Sequence, residues 1–135
     1  MKSKNKILLI VATMAALLVA SQAVAGNTWI CSINQVVAVD EDGTIGPPDM
    51  GGIAIPTFMR VDAEKKWITL LAPEERRGQV TKIDSVHQGE GVWVFSGVES
   101  ERAWSLVIAD VGYMTLSVTM DGAVWSVFGS AMLEE

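Results

Sequence analysis

The 135-residue chain carries 10 basic and 16 acidic residues, a formal net charge of −6. That size supports one domain and leaves no room for a second, and the acidic balance excludes a sequence-independent nucleic-acid binder, which needs a basic face. Residues for catalysis or metal binding are thinly supplied, with one histidine, His87, and one cysteine, Cys31.

Residues 1–25 read as a cleaved signal peptide. Lys2, Lys4 and Lys6 precede an apolar run from Ile7 to Ala20, and Ala23-Val24-Ala25 supplies the small-residue exit. Cleavage after Ala25 leaves residues 26–135 as a single β-barrel-like domain. Losing those three lysines leaves 7 basic against 16 acidic residues, so the mature charge is −9. A retained membrane anchor is the rival reading, and Ser21 and Gln22 weaken it. The short, lysine-led leader fits bacterial export, with the periplasm as the first location and the outside of the cell as the second. No membrane association is expected once the leader is removed.

The first extended segment covers residues 29–39, with a bend at Asn34-Gln35. Period-two alternation puts Trp29, Cys31 and Ile33 on its more apolar face, so Cys31 is expected to pack as a buried free thiol. An intermolecular disulfide and a reactive nucleophile are the alternatives for Cys31. Pro47-Pro48 and Gly51-Gly52 make the following stretch a loop, and residues 53–55 are a short edge piece stopped by Pro56.

The rest reads as a meander, with strands over residues 57–61, 67–71, 79–86, 92–98, 103–109, 113–120 and 123–128. Each is separated from the next by Gly, Asp, Glu or Pro. Asp121-Gly122 predicts a type I′ hairpin, with positive φ at both positions. Met114, Leu116, Val118 and Met120 alternate with Tyr113, Thr115, Ser117 and Thr119, the pattern of a strand with one wet face. Residues 92–95 and 106–109 are apolar on both faces, so the 46–56 loop or a second copy of the chain is expected to cover them. All five tryptophans (Trp29, Trp67, Trp93, Trp104, Trp125) fall in strands. The fold class is therefore all-β, a small antiparallel meander of seven or eight strands closed or nearly closed into a barrel. A two-sheet β-sandwich is the alternative.

No constellation for chemistry converges. Asp84, Ser85 and His87 are close in sequence, but alternation turns Ser85 and His87 to one face and Asp84 to the other, which misplaces the acid of a triad. Asp40, Glu41, Asp42 and Asp49 flank the glycine-rich loop without the spacing of a calcium loop. Glu74-Glu75 and Glu99 with Glu101 lie in turns. No catalytic residue, metal ligand or cofactor site is assigned. The leading functional reading is a non-enzymatic exported module that binds a protein partner, or a second copy of itself, through the two-sided apolar strands. Its acidity favours a basic partner, with association weakening as salt rises. The alternative is a carrier for a small apolar or aromatic ligand with a tryptophan-lined interior, and an enzyme of unrecognised type ranks last.

Overall fold

A computed structural model of the chain describes residues 27–135. The expected signal peptide lies outside the described residues. Among the described residues the chain is all-β, with one short 3-10 turn over Glu74–Arg76. Ten strands form: β1 Thr28–Val39, β2 Ile45–Gly46, β3 Phe58–Asp62, β4 Trp67–Ala72, β5 Val80–Lys82, β6 Ser85–Gln88, β7 Val92–Glu99, β8 Arg102–Ala109, β9 Tyr113–Met120 and β10 Ala123–Leu133. No helix of the described residues is long and apolar enough to cross a membrane.

The strands pair antiparallel in one sheet, in the order β5-β4-β3-β1-β10-β9-β8-β7-β6, with β2 on the flank of β1. The sheet is curled like half a barrel and its two ends do not pair as a ladder. They are instead consecutive in the chain. Ile83 donates its N–H to Lys66 O and Asp84 donates to Ser96 O, so the backbone changes partner from the β4 side to the β7 side within two residues. Thr81 Oγ1 donates to Glu99 Oε2 at 3.0 Å and Val98 N–H donates to Asp84 Oδ2 at 3.0 Å, tying the two ends together.

This splits the expected strand over residues 79–86. Thr81 and Ile83 share one face, and the next inward residue is Val86, so the alternation slips by one where the partner changes. A second slip occurs in β1. A bulge between Ile33 and Gln35 leaves Asn34 without a register partner, at the bend foreseen in the sequence. Trp29, Cys31 and Ile33 face inward before it, and Val36 and Ala38 after it.

Opposite the bulge, Ile33 pairs with Gly129. A Cβ on Gly129 would collide with the carbonyl oxygen of Ser32, so only glycine allows β1 and β10 to approach this closely. Because Gly129-Ser130-Ala131 serve this contact, β10 runs on to Leu133 and not to the expected end at Phe128. Glu134 is not a loose tail: its carboxylate takes both the Nε–H (3.0 Å) and an N–H of Arg60 (3.3 Å). Residues 53–55 form no strand.

Two further expectations are corrected. The two-sheet sandwich is replaced by one continuous sheet. The Asp121-Gly122 loop joins β9 to β10 with only Gly122 at positive φ (+73°), which is not type I′. The pair at positive φ is Ser100 and Glu101, at 48° and 64°, between β7 and β8. The 46–56 loop approaches β8 from the inward side, Met50, Ile55 and Pro56 sharing one lining with Trp104. Val92 lies opposite Ala109 and Val94 opposite Val107, and these outward side chains are half-buried.

The concave face holds the core. Trp29 meets Trp93 edge to face at 5.0 Å and Phe95 at 5.7 Å, while Trp93 and Phe95 stack at 6.2 Å. Cys31, Val61, Ile83, Leu106, Ile108 and Met114 close around them, each almost wholly buried. Full burial of one such side chain stabilises by about 1.5–3 kcal/mol, and each aromatic pair adds about 0.5–1.5 kcal/mol.

Candidate functional site

Packing is uneven along the concave face. The strand registers arrange inward side chains in rows across the sheet. One row reads Trp93, Ile108, Met114, Gly129, Ile33, and the next Phe95, Leu106, Leu116, Val127, Val36. A third reads Gly97, Trp104, Val118, Trp125, Ala38. Large residues in the first row meet the aromatic cluster and fill their end. In the third row both flanks are small, and the two indoles stand between them.

The result is a cavity of about 380 Å³ at this end of the sheet. Leu116, Val118, Val127 and Trp125 line it from the β9–β10 side and Met59, Ile68 and Leu70 from β3 and β4. Met50, Ile55 and Pro56 of the loop after β2 close one side, which gives that loop its structural role. Arg76 fixes the loop: its guanidinium donates to Ala54 O at 3.0 Å and twice to Gln79 Oε1, at 3.2 and 3.1 Å. Glu99, Ser100 and Arg102 of the β7–β8 hairpin line the opposite side. The Arg102 guanidinium lies over the Trp125 ring, 5.9 Å from its centre, so the charge stays at the rim and leaves the interior apolar.

Trp104 is the unusual member of the lining. It is 7 % exposed, and its indole Nε1 is buried with no hydrogen-bond acceptor among the described residues. Its ring lies flat against Gly97, where an added Cβ would stand 2.8–2.9 Å from three ring atoms, Nε1 included. The missing side chain of Gly97 is therefore the space in which the indole lies. A buried donor without an acceptor costs about 1–3 kcal/mol, and native structures keep few of them.

The residues weighed from sequence lie elsewhere. Asp84 accepts from Val98 N–H at 3.0 Å, and Ser85 and His87 are exposed on the edge strand β6, so the three build no triad. Asp42 accepts from Thr44 N–H and Asp49 from Gly51 N–H, as turn-forming carboxylates do. Hydrogen bonds from Thr44, the backbone one foremost, hold the Asp42 carboxyl below its ordinary acidity range. Asp40, Glu41, Asp42 and Asp121 border a shallow crevice between two turns, and no group of three or more acidic, histidine or cysteine side chains among the described residues is arranged to hold a metal ion. Glu74 meets Arg77 at 3.6 Å on the exposed 3-10 turn. Cys31 is buried, and burial pushes its thiol up to about 12 from 9.0, the opposite of an activated nucleophile.

Sequence reading found Trp104 and Trp125 as aromatic strand residues but did not single them out. The available signal was Gly97 following Trp93 and Phe95 on the inward face of its own strand, and its pairing with Trp104 requires the register to be known. Comparison with protein-family models, curated proteins and solved structures gives no match to this chain.

Proposed function

We propose that this chain is an exported, non-enzymatic binding protein that holds a small apolar molecule at the open end of its half-barrel. The observation that carries the reading is the cavity itself: about 380 Å³ beside a densely filled core, walled mainly by apolar side chains. Ligand sites are concave, mostly apolar and in the size range of about 300–1,000 Å³, with few polar groups to set orientation. A folding domain has no physical reason to leave such a space, since lining atoms lose their packing partners. The polar side chains around it are committed to structure. Arg76 braces the loop, Glu99 accepts from Thr81, and Arg102 covers Trp125. This arrangement favours retention of a ligand over its chemical conversion.

Protein-partner binding is the second reading. Its support is on the convex face, where Phe58, Phe128 and Met132 are exposed on β3 and β10. Exposed apolar side chains gathered on one face are a feature of interaction surfaces.

The test is native mass spectrometry of protein purified from its own host, beside a Val118→Phe variant that fills the cavity. The carrier reading expects a mass excess lost on denaturation and absent in the variant. A bare chain in both, with a stable complex to another protein, would replace it with the partner reading.

A further inference from the structure

Resting on the carrier reading, we infer that the ligand is an apolar body carrying one carboxylate, and that the Arg102 guanidinium at the cavity rim receives the carboxylate while the body lies inside. Three observations converge. The chain has four arginines, and three are engaged: Arg60 with Glu134, Arg76 with Ala54 O and Gln79, and Arg77 with Glu74. Arg102 lines the cavity, is exposed, and has no hydrogen-bond acceptor or ion-pair partner among the described residues. Its contact with the Trp125 ring engages the positive charge and takes none of its N–H donors. Second, Glu99 stands directly opposite Arg102 in the β7–β8 register, yet its carboxylate accepts from Thr81 Oγ1 at 3.0 Å across the seam of the sheet. The neighbour that would neutralise Arg102 is turned to another partner. Third, the sign of the charge inverts at this place: the chain carries −6 overall, while the cavity lining holds Arg76 and Arg102 against Glu99 alone.

The chemistry of the free group selects the head of the ligand. A guanidinium presents its N–H groups as a rigid planar fork, which meets the two oxygens of a carboxylate in parallel hydrogen bonds. A phosphate carries up to two charges and calls for more than one free cation, and Arg76 is already spent on the loop. Because Arg102 is exposed, a carboxylate bound to it stays at the edge of solvent and avoids the large cost of burying an ion. The body then lies against Leu116, Val118 and Val127, where it replaces the packing partners that this end lacks. The cavity volume, about 380 Å³, equals roughly a dozen waters at ~30 Å³ each, which suits a medium-length chain or a compact ring system.

The test compares two probes with the same body and different heads, decanoate and decanol, by titration calorimetry at neutral pH. Each is titrated into the wild type and into Arg102→Gln, which removes the charge and the fork. The substitution is expected to weaken decanoate roughly threefold to tenfold more than decanol, the range for a charge-assisted hydrogen bond at the edge of solvent. A second measurement needs no variant: the carboxyl carbon of labelled decanoate, followed by NMR in the wild-type complex, is expected to titrate below its value in free decanoate, because a facing guanidinium favours the ionised form. Equal weakening of both probes, binding of decanol alone, or a bound carboxyl that titrates at or above the free value would overturn the acid inference while leaving the carrier reading intact. Failure of both probes to bind the wild type up to their solubility limits would overturn the two together.

Discussion

The two ends of the concave face are built from the same strands and end up opposite in character. Toward one end, β7 contributes Trp93 and Phe95, and β1 answers with Trp29 and Cys31, giving a solid aromatic core. Toward the other, β7 contributes Gly97 and β1, after its bulge, Val36 and Ala38, and a cavity of about 380 Å³ opens. The difference shows where stability and function are divided in a small half-barrel. One end supplies the buried area, and that lets the other stay incompletely packed. The boundary is not sharp, since Met59 and Ile68 belong to the core cluster and to the cavity lining alike.

The severest way to break the arrangement is at the point where both ends depend on one close approach. Gly129→Ala places a Cβ against the Ser32 carbonyl and within 3.0 Å of Met114 Sδ, and the obstacle at Ser32 is backbone. We expect a loss of about 3 kcal/mol or more, or failure to fold, read by urea denaturation. The next effect compares the two ends directly. Phe95→Ala, in the solid end, is expected to cost about 3–5 kcal/mol, as truncations in dense cores do. Leu116→Ala, beside the existing cavity, is expected to fall at or below the low end of the range for its type, about 2 kcal/mol, because its side chain already lacks neighbours on one side. Equal losses for the two, scaled to the atoms removed, would show that the ends are packed alike.

How much of this was legible beforehand follows from what periodicity encodes. The strand over residues 113–120 was placed to the residue, because eight alternating positions between Gly112 and Asp121 leave no other choice. Burial of Cys31 followed from Trp29 and Ile33 sharing its face. The break at Ile83-Asp84 was invisible, since a chain that switches partners keeps its β-forming residues and changes only which face they serve. Residues 129–133 looked like the end of a strand because glycine, serine and alanine are weak strand formers in isolation. Their value lies in the nearness of Ser32, about a hundred residues away in sequence. The cavity was the least legible of all. It depends on Gly97 facing Trp104 and Ala38 facing Trp125, two cross-strand pairs that exist only once the register is set.

Cys31 gives a milder test of the solid end. Its folded pKa of about 12 lies above the unfolded value of 9.0, so the neutral thiol is the form that folding favours. Its contribution to stability is complete below pH 9.0 and is lost as pH rises from 9.0 toward about 12. The wild type is therefore expected to lose more stability across that alkaline range than a Cys31→Ala variant, in paired denaturation curves. Native protein near neutral pH is likewise expected to resist iodoacetamide and to react after unfolding. Ready alkylation of the folded chain would mean that solvent reaches the core from this end as well.

The smallest expected effect concerns the two hairpins that frame β8, β9 and β10. Between β9 and β10 the one position at positive φ is occupied by Gly122, so the loop carries no backbone strain. Between β7 and β8 both turn positions, Ser100 and Glu101, are at positive φ without a glycine. Left-handed backbone costs an ordinary residue about 1–2 kcal/mol, and Asn-Gly is the pair that relieves a type I′ turn most fully. The double substitution Ser100→Asn with Glu101→Gly is expected to gain about 0.5–1 kcal/mol, since glycine returns part of the benefit through its freer unfolded chain. Asp121→Asn, at a position without positive φ, is expected to leave stability unchanged. Both outcomes are readable as shifts in thermal midpoint, of a few degrees and of none. Ser100 lines the cavity, so the same variant also reports on whether a strained turn is needed there. If the relaxed turn gains stability but loses affinity for an apolar probe, the strain serves to hold the mouth in its binding shape. Unchanged affinity would assign the strain to the hairpin alone.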